Sequence, residues 1–404
     1  MEATGKVYAG VDTHKDVHVL CVLDPSGRKV FEGGFAADGP GYDALAEAIG
    51  DPGKCAAVGI EGTASYGSGL TRRLAGLGFP VVEVLRPKRG RRRRGEGKGD
   101  SADAERAARD AMAGWGASTP KSQDGWVEAA RFLLAARRVP VKTSTACANS
   151  ARALLDSAPE SIRGAYRRLG PAQLMARLAE AEAAADDAPE ASALASLQML
   201  SLTWADAKRR AGQAEEAIGA LVREHAPALL DMYGCGAISA AELAVAAGDN
   251  PERLKSEASF AALCGASPVE ASSGKVVRHR LNRGGNRRAN CALHRIALCR
   301  LKGDGRTVAY AERRAAEQKS PREIVRCLKR FIAREAYRAL LHPLEVRKRE
   351  GPALREARLA LGLTQAAAAK LLGVPSARIS EVERCARNMP DLERRYGELL
   401  RSMA

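Results

Sequence analysis

From Lys6 to about Ala113 the chain alternates β-rich runs with helical stretches, and this alternation restricts its opening region to an α/β sheet. Val7-Tyr8-Ala9-Gly10-Val11 and Val17 to Leu23 read as strands, and Pro25-Ser26-Gly27 turns the chain into a third strand near Lys29 to Phe35. Helical stretches near Tyr42 to Ile49 and Ser68 to Leu77 alternate with apolar runs at Ala56 to Ile60 and Val81 to Leu85. Such an order implies a sheet with parallel members joined by crossover helices. Ser101 to Met112 reads as a further helix, with Ser101 as its N-cap and Asp103 and Glu105 at the positive end of its dipole.

The middle of the chain is helical. Within Glu190 to His225, the residues Leu197, Leu200, Trp204, Ala207, Ala211, Ala214, Ile218 and Leu221 recur at spacings of three and four, a heptad seam on a helix roughly 50 Å long. Pro189 marks the start of this arm, whose partner is either another helix of the same chain or a second copy. The organisation is read as 1–125, an α/β domain; 126–226, a helical linker and coiled coil; 227–345, a mainly α-helical domain; and 350–404, a helix-turn-helix.

The chain has 404 residues and 64 Lys and Arg against 48 Asp and Glu, a formal charge of +16, which favours a polyanionic partner. Hydrophobic residues at 46% exclude a disordered chain, and aromatics at 4% point to closely packed Ala- and Leu-rich helices. No apolar run approaches the roughly 18 residues of a membrane span, and the start has no apolar leader core, so a cytoplasmic protein with no membrane partner is expected. The nine cysteines include no Cys-x-x-Cys pair, which argues against zinc and disulfides and for reduced core thiols.

Asp12 ends the first strand, Glu61 ends a later apolar run, and Asp100 and Asp103 open a helix. Strand-end carboxylates in an open α/β sheet project into the ligand crevice, and Asp100 and Asp103, three apart on a helix, point the same way. Clustered carboxylates hold hard divalent cations such as Mg²⁺, and two such ions clamp a phosphodiester. Taken singly, each acid reads as a surface residue or a cap. Beside them, Pro87 to Gly99 is Gly- and Arg-rich, with Arg91, Arg92, Arg93 and Arg94 suited to phosphate, and is expected to be mobile until an anion orders it.

A second constellation runs from Cys264 through Ser272-Ser273-Gly274-Lys275 to Arg278, His279, Arg280, Arg283, Arg287 and Arg288. A serine hydroxyl needs a base, a metal or flanking cations to act as a nucleophile, and this block supplies the cations. Upstream, Tyr233-Gly234-Cys235-Gly236 entering a helix resembles a phosphate-holding hairpin, whereas nucleotide-binding glycine motifs are absent. In the tail, Thr364 and Ser376 read as caps of two short helices separated by a turn at Gly373, with Ile379 and Val382 inward. Ser376, Arg378 and Ser380 then face a major groove, although Glu381 and Glu383 dilute the basic face; the alternative is a small folding or dimerisation element.

Val11-Asp12-Thr13-His14-Lys15, Glu61-Gly62-Thr63, Gly99-Asp100-Ser101-Ala102-Asp103 and the Ser272 to Asn290 block resemble, in order, the motifs of the IS one-ten family of insertion-sequence transposases over roughly residues 6–340. The resemblance implies a RuvC-like, RNase H-type DEDD domain followed by a transposase domain that carries a serine. It further implies Asp12, Glu61, Asp100 and Asp103 as metal ligands for Mg²⁺, and a serine that attacks a DNA phosphodiester and holds the strand as a phosphoserine. Of the doublet, Ser273 is favoured over Ser272 because it immediately precedes Gly274. Donor and target DNA, a structured bridge RNA encoded by the element, and assembly as a homodimer or homotetramer are implied as partners, with the protein at the nucleoid when DNA is bound. The tail helix-turn-helix lies outside that pattern and is similar to the Cro/repressor class. A RuvC-like structure-selective nuclease, or a DNA-binding regulator with a decayed catalytic domain, is the alternative.

Overall fold

The computed structural model describes residues 5–85, 99–181, 188–270, 279–280, 282, 284–342, 350–385 and 389–403. The chain divides into two compact units, Met1–Gly125 with Ala247–Arg253, and Trp126–Ala246 with Leu254–Ala404. In the first unit, β1 (Val7–Thr13), β2 (Val17–Leu23) and β3 (Lys29–Ala36) are followed by α1 (Gly39–Ile49), β4 (Cys55–Glu61), α2 (Ser68–Gly76), β5 (Val81–Val84) and α3 (Asp100–Ala113). The sheet order is β3-β2-β1-β4-β5. The first three strands pair antiparallel, whereas β4 is parallel to β1 and β5 to β4. This is the mixed sheet of a RuvC-like, RNase H-type domain.

Side-chain parity on β1 decides what meets what. Ala9 and Val11 join Leu20, Val22, Leu45, Ile49, Leu70 and Leu74 in the core beneath α1 and α2. Gly10 and Asp12 point to the opposite face, which α3 covers with Ala104, Ala107, Ala108 and Ala111. The helix comes so close that a Cβ on Gly10 would lie 2.0 Å from the Ala108 nitrogen, and one on Gly59 2.4 Å from the Ala107 oxygen. One step beyond these glycines, the same face of each strand ends in a carboxylate. The N-cap of α3 is Gly99, with no side-chain cap; Ser101 sits inside the first turn and is not the cap the sequence suggests.

In the second unit, α4 (Trp126–Ser157), α5 (Glu160–Tyr166), α6 (Pro171–Ala179) and α7 (Ala188–His225) form the helical middle. Trp126 at the start of α4 stacks on His225 at the end of α7, with ring centroids 5.4 Å apart. Cys147, Ala151 and Leu155 at the far end of α4 share a core with Leu194 and Leu197 at the start of α7. The two long helices are therefore antiparallel arms of one chain, and the heptad seam packs within it: Leu197, Ala207, Ala211 and Ile218 are buried. Beyond them come α8 (Pro227–Asp231), α9 (Ala237–Ala247), α10 (Glu257–Leu263), β6 (Val269–Glu270), β7 (His279–Arg280), α11 (Arg287–Arg300), α12 (Gly305–Ala316) and α13 (Pro321–Leu341).

The tail folds as α14 (Gly351–Ala360), α15 (Gln365–Leu372), α16 (Ser376–Glu383) and α17 (Pro390–Met403) around Leu354, Ala368, Leu372, Ile379, Val382, Tyr396 and Leu400. The Thr364 hydroxyl accepts from the Ala367 amide at 3.1 Å, and Gly373 ends α15 with φ of 67°. Two readings are corrected. Ser376 is the first residue of α16 rather than its cap, a position taken by Pro375. Glu383 is buried at 3% exposure, where it accepts from Arg358, Gln365 and Tyr396, so it does not dilute a DNA-facing surface. No helix among the described residues is long and apolar enough to cross a membrane.

Candidate active site

The crevice forms where the C-terminal ends of β1 and β4 meet the first turn of α3. Thr13 Oγ1 donates to the Glu61 carbonyl at 2.9 Å, which ties the two strand ends together. Asp12 and Glu61 are buried there, at 8% and 4% exposure. From the helix, Asp100 and Asp103 come down one turn before the alanines that grip the sheet, the same stripe continued with acids.

The four carboxylates are held in two pairs by two side chains that the sequence reading did not assign to the site. His14 Nε2 lies 3.1 Å from Asp12 Oδ2 and 3.4 Å from Asp100 Oδ1. Arg106 bridges Glu61 and Asp103, the latter at 3.2 Å, and its other nitrogen is 3.8 Å from Asp110. A signal for Arg106 was present, since it follows Asp103 by three residues on the same helix face. His14 is two residues from Asp12, and only the bend after β1 reveals that its ring reaches both acids.

The electrostatics are crowded. Burial pushes the Asp12 carboxyl above its ordinary value, and the neighbouring charges of Asp103 and Glu61 push the same way, while His14 pulls back. Burial pulls Arg106 down, but Glu61 and Asp103 outweigh it and hold the guanidinium firmly charged. Donor atoms of Asp12, His14 and Asp100 lie within 4.8 Å of one another, the spacing at which one cation reaches all three. Two carboxylates among them suit a hard divalent ion; the imidazole suits a borderline metal as ligand, or a hard one as an outer partner.

The remaining site residues scatter more widely. Arg91 to Arg94, Ser272, Ser273, Lys275, Arg278 and Arg283 lie outside the described residues, as does the expected mobility of the Arg-rich segment. Arg280 lies on β7. Arg287 and Arg288 are exposed in the first turn of α11, where the Asn286 side chain accepts from the Arg288 and Ala289 amides at 3.0 and 3.1 Å. Cations at a helix N-terminus are electrostatically misplaced unless an anion joins them. Arg288 is 3.8 Å from Glu242, a buried acid that burial pushes up. In the tail, Arg378 pairs with Glu381 at 2.7 Å.

A mixed sheet of this order with acids at its strand ends is the architecture of a RuvC-like domain. Residues 9–159 match the family model of the DEDD transposases of IS110 elements, and residues 226–311 match the transposase model of the IS116/IS110/IS902 family. The two matches together cover more than half of the chain, which belongs to the IS110 family of transposases. Residues 354–394 match a helix-turn-helix model, so DNA is a partner. A comparison with curated proteins found no match.

Proposed function

We propose that Asp12, Glu61, Asp100 and Asp103 are the metal-binding acids of this transposase, and that Mg²⁺ is the physiological ion. The observation that carries the reading is the convergence of all four carboxylates on one crevice, where His14 reaches Asp12 and Asp100 and Arg106 reaches Glu61 and Asp103. When bound, a divalent ion supplies charge neutralisation at a phosphodiester. Arg106 keeps Glu61 and Asp103 together in its absence, and His14 orients Asp12 toward Asp100.

The strand is cleaved and rejoined by the serine pair of the second domain, with Ser273 preferred and Ser272 as its alternative. The hydroxyl oxygen gives up its proton and attacks phosphorus, the P–O bond to the sugar breaks and the leaving sugar oxygen takes up a proton, and the strand stays esterified to the enzyme until a sugar hydroxyl attacks in turn and returns the serine to its free, protonated form. Arg287 and Arg288, with the basic residues from Lys275 to Arg283, contact the phosphates, and Arg378 contacts DNA from the tail. Arg91 to Arg94 bind nucleic acid in the same phosphate-directed way. A structured bridge RNA guides donor and target choice, and the enzyme works in the cytoplasm at the nucleoid as a homodimer or homotetramer.

Denaturing electrophoresis of the protein with labelled element-end DNA tests the covalent step. An adduct that Ser273→Ala abolishes is the expected result; free 5′-phosphate ends with no adduct would instead identify a structure-selective nuclease. Sequencing the RNA that copurifies with the chain tests guiding, with one discrete structured species expected and random fragments contradicting it.

A further inference from the structure

We infer that Tyr66 is a stacking platform for the nucleobase beside the scissile phosphate; this rests on the acidic crevice being the DNA-cleaving site. A groove of about 400 Å³ opens next to the acids and is lined by His14, Lys15, Asp16, Val17, Val19, Tyr66 and Asp100. Asp100 and His14 belong to the acid cluster, Lys15 and Asp16 add one charge of each sign, and Val17, Val19 and Tyr66 supply apolar surface, with Val17 at 46% and Tyr66 at 58% exposure. The exposed ring of Tyr66 among these residues offers a face on which a flat base can stack.

Tyr66 is presented by a rigid turn rather than by a loose loop. The Ser65 amide and hydroxyl both donate to the Gly62 carbonyl, at 2.8 and 2.9 Å. Thr63, which is 1% exposed, accepts at its carbonyl from Gln123 Nε2 at 2.8 Å. Gln123 holds that bond from a left-handed backbone, φ 57°, which a non-glycine residue adopts at a cost. The turn begins at Glu61, itself tied to Thr13, so the ring and the carboxylates share one frame.

Exchange of a strand between two duplexes parts the nucleotide next to the scissile phosphate from its paired stack. An exposed, pre-positioned aromatic face returns the lost stacking without regard to base identity, because every base has a π-face. Lys15 at the same groove is placed to offset the phosphate that follows.

The test compares strand cleavage by the full-length chain on element-end DNA, with either normal bases or an abasic site at each nucleotide flanking the scissile phosphate. Tyr66→Ala is expected to slow cleavage of normal DNA about tenfold, the scale of one lost base–aromatic stack, and Tyr66→Phe to retain the rate. At one flanking position, the abasic substitution should make wild type and Tyr66→Ala equal. A Tyr66→Ala penalty that persists at every abasic position, or a Tyr66→Phe loss as large as that of Tyr66→Ala, would overturn the stacking role. Asp12→Asn run in parallel separates the two readings: if it still cleaves, the acidic-crevice assignment fails, whatever Tyr66 does.

Discussion

Two carboxylate-centred networks in this chain each include an arginine and reach opposite electrostatic ends. In the tail, Glu383 accepts from Arg358 at 2.6 and 3.1 Å, from Gln365 at 2.7 Å and from Tyr396 at 2.7 Å. Burial pushes this carboxyl up, but the hydrogen bonds from Arg358, Tyr396 and Gln365 outweigh it and leave it below its ordinary value. In the crevice, four acids converge, with Arg106 beside Glu61 and Asp103 and His14 beside Asp12 and Asp100, and Asp12 is driven the other way. One acid with several donors fastens helices together. Several acids brought to one crevice crowd like charges together, and Asp12 shows the effect.

The largest way to break this contrast is Asp12→Asn. It is expected to abolish strand transfer while leaving metal-free thermal stability intact, since it removes a charge from a crowd; transposition and melting assays on the same preparation check both. A large loss of stability would make Asp12 a structural residue like Glu383.

Arg358→Ala is expected to do the reverse, destabilising the tail by about 3–5 kcal/mol because it strands a buried charge. Hydrogen exchange in α14 to α17 reads that loss, and the double replacement Arg358→Met with Glu383→Leu should recover much of it. The same pair fixes a pH response. Because the folded Glu383 titrates below its ordinary value, its stabilisation is complete above about pH 4.3 and disappears as pH falls through the lowered folded value. Tail stability should therefore decline in acid and, because burial and the bond to Glu383 hold the Tyr396 hydroxyl above its ordinary value, again above about pH 10; no decline in acid would contradict the network.

Divalent cation sharpens the comparison next. At about a hundred times its dissociation constant, Mg²⁺ should stabilise the sheet unit by about 2.7 kcal/mol, seen as slowed exchange in β1 and β4, with no effect on the tail. Asp12→Asn should remove that gain. The smallest effect is expected from Arg106→Ala, about 1 kcal/mol in metal-free protein because the guanidinium is partly solvated at 28% exposure, with Mg²⁺ restoring the loss. If Mg²⁺ failed to substitute for Arg106, the crevice would be an ordinary ion-pair network.

Much of the fold was legible because it rests on local periodicity. The strand and helix alternation yields β1 to β5, and the heptad positions Leu197, Ala207, Ala211 and Ile218 lie on the buried face of α7. Helix caps were less legible. A polar side chain near a helix start proposes a cap, but backbone geometry assigns it, and at Ser101 and Ser376 the chain was already helical.

For the site, the sequence by itself determined which residues bear charge and where strands end: Asp12 and Glu61 at strand termini, and Asp100 and Asp103 one helical turn apart. It also determined the family, through motifs kept in order along the chain. Only the tertiary structure decided who neutralises whom. Arg106 and Glu61 are 45 residues apart, and Arg358 and Glu383 are 25 apart. Whether such a pair fastens the fold or leaves charge unbalanced depends on burial and on the number of donors within reach. Both are properties of packing, which no spacing along the chain contains.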